Sequence, residues 1–123
     1  MNLVEIYNIL AAEKGFERTM GDVLRVLGLY HRLWLSEIYV EIKGMNTTLR
    51  EDIPEYSDIV KAVNELKNKG YVYVEKRTRS SLASTEGVED YLVSLAGLRE
   101  VVLALLSDRK LVDYVKIKRS MFR

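Results

Sequence analysis

The chain has 123 residues, 48% of them hydrophobic and 30% charged, and its 19 lysines and arginines against 18 aspartates and glutamates leave a formal charge of +1 at pH 7. This is the composition of one soluble globular domain able to bury a single core, and it excludes a disordered chain. The absence of cysteine excludes disulfides, thiolate metal sites and thiol catalysis together.

Leu3, Ile6, Tyr7 and Leu10 share one face of the segment 3–14, with Asn2, Glu5, Asn8 and Glu13 on the other, so the spacing predicts an amphipathic helix. Val4, Ile9 and Ala11 widen its apolar face, as for a helix packed on its own core or also covered by a second subunit. Thr19, with Asp22 three residues on, has the form of a capping box opening a second helix that runs to about Tyr30. Val23, Leu24, Leu27 and Tyr30 point inward in that helix, and Arg25 and Arg32 outward. In LSEIYVEIKG, Ser36 is placed as N-cap of a short helix from Glu37 to Lys43, Leu35 and Val40 as its hydrophobic staple, and Gly44 as its left-handed end. Pro54 bars a continuous helix, so 45–56 reads as a connection with at most one turn, from Thr48 to Asp52.

A further helix starts at Ser57. Ile59, Ala62, Val63 and Leu66 form its core face, Lys67 and Lys69 complement the negative end of its dipole, and Gly70 ends it. Tyr71 to Thr78 alternates as a strand, residues 80–89 form a polar loop, and Asp90 to Leu95 returns to complete a hairpin. The last helix runs from Gly97 or Leu98 to Lys118 with a break near Ser107 and Asp108; its stripe is Leu98, Val101, Val102, Leu105, Leu106, Val112 and Val115.

Signals for catalysis are missing. His31 has no Asp or Glu in the helical turn after it, the carboxylates are scattered among lysines, and Ser80, Ser81 and Ser84 lack a nearby base. The glycines are isolated, which excludes the dinucleotide and phosphate-loop fingerprints. The expectation is a protein that is not an enzyme and uses no metal or cofactor. No apolar run approaches the roughly 20 residues a bilayer requires, and MNLVEIYNIL has no signal-peptide pattern, so a cytoplasmic protein without a membrane partner is expected. Glutamine is absent and Tyr, Ile, Val, Lys and Glu are abundant, a bias shared with thermophile proteins.

VNELKNKGYVYVEK resembles the recognition-helix end and first wing strand of winged helix-turn-helix regulators: an apolar residue, two residues, Leu, three residues, Gly, then an alternating strand, filled here by Val63, Leu66 and Gly70. DYLVSLAGLREV resembles their second wing strand and following helix, with Val93, Ser94, Gly97, Arg99 and Glu100 in the pattern and Ser94 as the cap. The resemblance spans roughly Thr19 to Leu106 and is closest to the MarR-like and PadR-like regulators, although Ser57 and Val60 stand where PadR-like members usually carry Gly and Tyr. It implies an α+β, mostly α, winged helix-turn-helix domain over residues 1–123. The core would cover about 19–97, with a small third strand at Trp34-Leu35 and terminal helices 3–14 and 98–118 for dimerisation. The implied function is sequence-specific binding of double-stranded DNA by a homodimeric transcriptional regulator, with helix 57–69 in the major groove and wing 75–91 on the backbone or minor groove. MarR-like regulators often bind small effectors between dimerisation helices and DNA-binding lobe; Tyr7, Tyr30, Trp34 and Tyr114 are either such a lining or plain core aromatics.

With Ile59, Val63 and Leu66 inward, a step of about 100° per residue puts Ser57, Lys61, Asn64, Glu65 and Asn68 on the outer face. Lys61 suits a phosphate or guanine, and Asn64 or Asn68 pairs bidentately with adenine. Lys76, Arg77 and Arg79 in the wing suit backbone phosphate, with Ser80, Ser81 and Ser84 as neutral donors. The expected dimer contact uses Leu3, Ile6, Tyr7 and Leu10 with Val101, Val102, Leu105, Val112 and Val115. Charge argues against DNA: from Arg50 to Lys69 there are four basic residues and five acidic, and positive charge gathers instead in the wing and in KIKRSMFR at the end. The alternative is a winged-helix interaction module whose Glu51, Asp52, Glu55 and Asp58 dock on a protein of transcription or replication.

Overall fold

The computed structural model describes residues 3–82, 84–97 and 99–121, with the side chain of Ser84 outside the description. In chain order the elements are α1 (Leu3–Ala11), α2 (Gly15–Tyr30), β1 (Arg32–Trp34), α3 (Leu35–Thr48), α4 (Tyr56–Asn68), β2 (Val72–Ser81), β3 (Ser84–Leu95), α5 (Arg99–Leu106) and α6 (Arg109–Met121). The fold is α+β and mostly helical, with one antiparallel sheet of order β1-β3-β2. No described helix is long and apolar enough to cross a membrane.

Helix α2 is the hub, with Val23, Leu24, Val26 and Leu27 buried among α1, α3, α4 and α5. It begins at Gly15, earlier than the expected cap, and Thr19 lies inside it with its hydroxyl donating to the Gly15 carbonyl at 3.4 Å. Asp22 therefore caps nothing; it is buried and pairs with Arg25. Arg25, expected to face solvent, is 2% exposed. Its guanidinium binds Asp22 Oδ1 at 2.9 Å, Asp108 Oδ2 at 2.6 Å and the Leu10 carbonyl. Burial works against this cation, but Asp108 and Asp22 outweigh it and raise the pKa above its ordinary value. One side chain thus joins the end of α1, the middle of α2 and the α5–α6 joint.

Helix α3 has twice the length expected. It runs straight through Gly44 because Ile38, Ile42 and Met45 continue the helical spacing into the core, and their burial outweighs the roughly 1 kcal/mol that a mid-helix glycine costs. Ser36 is not its cap; the Trp34 amide is instead satisfied by Glu37 at 3.0 Å, and exposed Val40 forms no staple. The connection shrinks accordingly. After a turn at Leu49 and Arg50, residues 51–55 lead without regular structure into α4, which Asp58 caps by accepting the Glu55 amide at 3.2 Å. Gly70, at φ 84°, turns the chain into β2, a conformation that favours glycine.

The hairpin is longer than its apolar residues signal. Pairing runs from Val72↔Leu95 through Arg79↔Val88 to Ser81↔Ser84, so residues 80–89 are mostly strand and not a loop. Gly87, at φ 83°, sits where the register shifts, and a Cβ there would lie 2.6 Å from the Thr78 methyl. Ser94 pairs inside β3 with Arg32 and Tyr73, five residues before Arg99, so it does not cap the next helix. The expected break at Ser107 and Asp108 is present and separates α5 from α6, and Asp108 caps α6 by accepting the Leu111 amide at 2.9 Å. The expected Leu98 of the stripe lies outside the described residues. The first helix ends at Ala11, short of Lys14.

Glu5 ties α1 to the α4–β2 corner. It accepts the Tyr71 hydroxyl at 2.6 Å and Lys69 Nζ at 2.9 Å, and these bonds, Tyr71 first, lower its pKa below the ordinary 4.5. A lowered acid contributes stability above its unfolded pKa and loses it as pH falls through the folded one. Wild type should therefore melt above Glu5→Gln at neutral pH, and the gap should close as pH is taken below about 4.5, read from paired thermal melts.

Candidate nucleic-acid interface

Burial of Ile59, Ala62, Val63 and Leu66 turns the opposite face of α4 outward. Ser57, Lys61, Asn64 and Asn68 are exposed there, as expected, whereas Glu65 is half-buried and pairs with Lys69 at 3.7 Å. Among the described residues, Lys61 and Lys67 enter no ion pair. The neighbouring acids are mostly engaged within the chain. Glu51 pairs with Arg18 at 3.3 Å and Lys110 at 3.1 Å, and Asp58 holds the α4 cap. Of the five acids only Glu51 is paired with cations from outside the segment, and Lys69, one of the four bases, is shared between Glu65 and Glu5, so the near balance of charge beside this face remains.

The β2–β3 hairpin, the expected wing, is less positive than its KRTR segment signals. Between Val72 and Leu95, Lys76, Arg77 and Arg79 face Glu75, Glu86, Glu89 and Asp90, one acid in excess. Lys76 pairs with Glu89 at 3.4 Å and Arg77 with Glu75 at 3.7 Å, both exposed pairs of the weak kind that a phosphate can displace. Arg79 differs, with Nε at 2.8 Å from the buried Asp90. Burial alone would raise the Asp90 pKa; the Ser36 hydroxyl, Arg79 and the Tyr91 amide overcome it and hold the carboxyl below its ordinary value. Ser80 is exposed and Ser81 half-buried.

The C-terminal cations divide in the same way. Lys116 and Arg119 are exposed, Arg123 is outside the described residues, and Lys118 lies over the Tyr30 and Tyr114 rings and donates to the Tyr30 hydroxyl at 2.6 Å.

Four residues expected at a dimer contact are occupied elsewhere. Ile6, Leu10, Val101 and Leu105 are buried in the chain's own core, so they are corrected to core positions. Leu3, Tyr7 and Val102 are exposed, and Val112 and Val115 are half-buried. Val4, read as widening the apolar face of α1, is exposed, and sequence reasoning missed Leu103 and Leu106 as exposed apolar residues, the last 71% exposed. The signal was available in VVLALL, since six successive apolar residues on a helix cannot all face one core. Helices α1 and α5 pack against each other, so Leu3, Val4, Tyr7, Val102, Leu103 and Leu106 lie on adjacent helices.

The four aromatics read as either a pocket lining or plain core do not border one cleft, although Tyr30 and Tyr114 share Lys118. Tyr7 borders a cleft of about 700 Å3 with Arg18, Arg25, Asp108 and Lys110, Trp34 borders a separate recess beside Ser36 and Arg79, and Tyr30 and Tyr114 border neither. Among the described residues no group of three or more His, Cys, Asp or Glu is placed to hold a metal ion. Compared with family models, curated protein sequences and solved structures, the chain matches none.

Proposed function

We propose that this chain is a winged helix-turn-helix transcriptional regulator of MarR-like or PadR-like type, binding double-stranded DNA in sequence-specific fashion as a cytoplasmic homodimer. The order α2, β1, α3, α4, β2, β3 with a β1-β3-β2 sheet supports the winged-helix reading. The observation that carries the DNA reading is the outer face of α4: Ser57, Lys61, Asn64 and Asn68 are exposed, Lys61 has no ion-pair partner among the described residues, and Glu51, Asp58 and Glu65 are engaged within the chain. In a major groove, Lys61 would meet a phosphate or guanine and Asn64 or Asn68 an adenine edge. The wing would rest on the flanking backbone, exchanging the exposed pairs of Lys76 and Arg77 for phosphate.

The apolar faces of α1 and α5 would bury each other's copies across a two-fold axis and set the half-site spacing. A Leu106→Glu variant should leave the fold intact, because Leu106 is 71% exposed, and shift the mass measured by light scattering from two chains to one. The cleft beside Tyr7 is the place for an effector.

The deciding experiment is a salt titration of binding to random duplex and to the DNA upstream of its own coding region. Lys61→Ala should weaken binding to every duplex alike and reduce the slope of log affinity against log salt by about 0.9, the signature of one lost phosphate contact. A second reading, a winged-helix module that docks on protein, is favoured by the wing's one-acid excess. It gains if the wild-type chain binds no duplex at low salt.

A further inference from the structure

Asp90 belongs neither to the outer face of α4 nor to the apolar faces of α1 and α5, yet it is a charged side chain at 6% exposure. Its Oδ2 accepts the Ser36 hydroxyl, on the first turn of α3, at 2.6 Å and Arg79 Nε, on β2, at 2.8 Å; its Oδ1 accepts the Tyr91 amide at 2.7 Å. The register places Arg77, not Arg79, opposite Asp90, and Arg79 opposite Val88. The Arg79 guanidinium therefore reaches diagonally across the ladder to the buried carboxylate, and Arg77 is left in solvent.

The position of this cluster along the hairpin gives it significance. Toward the body, Val72, Leu92, Val93 and Leu95 are buried in the core; toward the tip, no described residue from 75 to 89 is buried. Asp90 is the outermost buried residue of the hairpin among the described residues, and through Ser36 it fastens the hairpin to α3 at the level where the outer wing leaves the body. A buried carboxylate held by three donors has defined geometry, unlike the screened pairs of Lys76 and Arg77.

We infer that the Ser36–Asp90–Arg79 cluster is a positioning device that sets the pose of the outer wing, residues 75–89, against α4, and that Arg79 acts on DNA through this cluster and not as a phosphate ligand. The inference rests on the DNA-binding reading for its consequence but not for its geometry.

The test uses Asp90→Asn and Ser36→Ala in the full chain, each read by amide hydrogen exchange and by duplex affinity. The two views of Arg79 predict opposite signs. If Arg79 were a phosphate ligand restrained by an acid, Asp90→Asn would remove negative charge from the interface, free a cation and tighten binding. A positioning role predicts weaker binding, about tenfold, or roughly 1.4 kcal/mol. Ser36→Ala, with no change of charge, should shift affinity in the same direction, and in both variants exchange should speed up in β2 and β3 outside the core while α2 and α4 keep their protection. Tighter or unchanged binding by Asp90→Asn, or wing exchange equal to wild type in both variants, overturns the inference. If Asp90→Asn fails to fold, Ser36→Ala decides by the same readings. If wild type binds no duplex, the DNA reading fails, and the exchange comparison alone decides whether the cluster holds the wing.

Discussion

Replacing Arg25 with alanine should cost about 3–5 kcal/mol of folding free energy, because removing one partner of a buried ion pair leaves an uncompensated charge inside the protein. Arg25 and Asp22 are 2% and 1% exposed. Asp22 would keep Asn46 at 3.0 Å and Lys110 at 2.8 Å, but the Asp108 carboxylate would lose both of its guanidinium contacts, at 2.6 and 3.1 Å, and keep only the Leu111 amide among its described partners. Domains are commonly stable by only about 5–15 kcal/mol, so the loss would be a large share of the total. Arg25→Lys should recover only part of it, since a point charge cannot bind Asp108 with two nitrogens and reach Asp22 and the Leu10 carbonyl as well. Urea denaturation of the three proteins measures the series. A loss below about 1 kcal/mol for Arg25→Ala, the level of an exposed pair, would mean that hydrophobic packing and the Lys110–Asp22 pair hold the α5–α6 joint to α2 without it.

The second large effect concerns recognition. On the proposed DNA-binding function, Asn64→Ala should lose about 1–3 kcal/mol of discrimination at a single base pair, the worth of one bidentate contact, while affinity for random duplex changes little. This is the opposite profile to Lys61→Ala, which should weaken all duplexes alike. A panel of duplexes differing by one base pair at each position of the bound site separates the two. If Asn64→Ala leaves the ranking of the panel unchanged, the base-reading residues lie elsewhere, and Asn68 on the same exposed face is the next to replace.

The two variants also mark how far each part of the molecule was legible. Helix α4 was legible nearly to the residue, because its apolar spacing, its last-turn Lys67 and the left-handed Gly70 all act within a few residues of one another. The exposed set Ser57, Lys61, Asn64 and Asn68 follows from that spacing, which also put outward Glu65, half-buried in the structure. The α5–α6 break was legible for the same reason, since Asp108 caps a helix that begins beside it.

Where the sequence misled, the deciding partner lay far along the chain. Asp22 and Thr19 have the form of a cap, but Asp22 instead meets Asn46 and Lys110, 24 and 88 residues away, and Arg25 meets Asp108, 83 residues away. A charged residue on a helix reads as solvent-facing until tertiary packing brings it a counter-charge. Gly44 reads as a helix end until Met45 is seen buried beyond it. The serine-rich segment 80–89 reads as loop because it has few apolar side chains to alternate, yet backbone pairing needs none. Ile6, Leu10, Val101 and Leu105 could not be told from Val4, Leu103 and Leu106 by hydrophobicity, because only the packing of α1 and α5 on α2 chooses which apolar residues are buried.

By itself, then, the sequence determined the α+β class, α4 and its outer face, and the hairpin that follows, through forces acting over a helical turn or a strand repeat. Only the tertiary structure decided which charges are buried, which apolar residues stay exposed, and that Arg79 is bound to Asp90 while Arg77 is not, because each depends on contacts between segments that are distant in sequence.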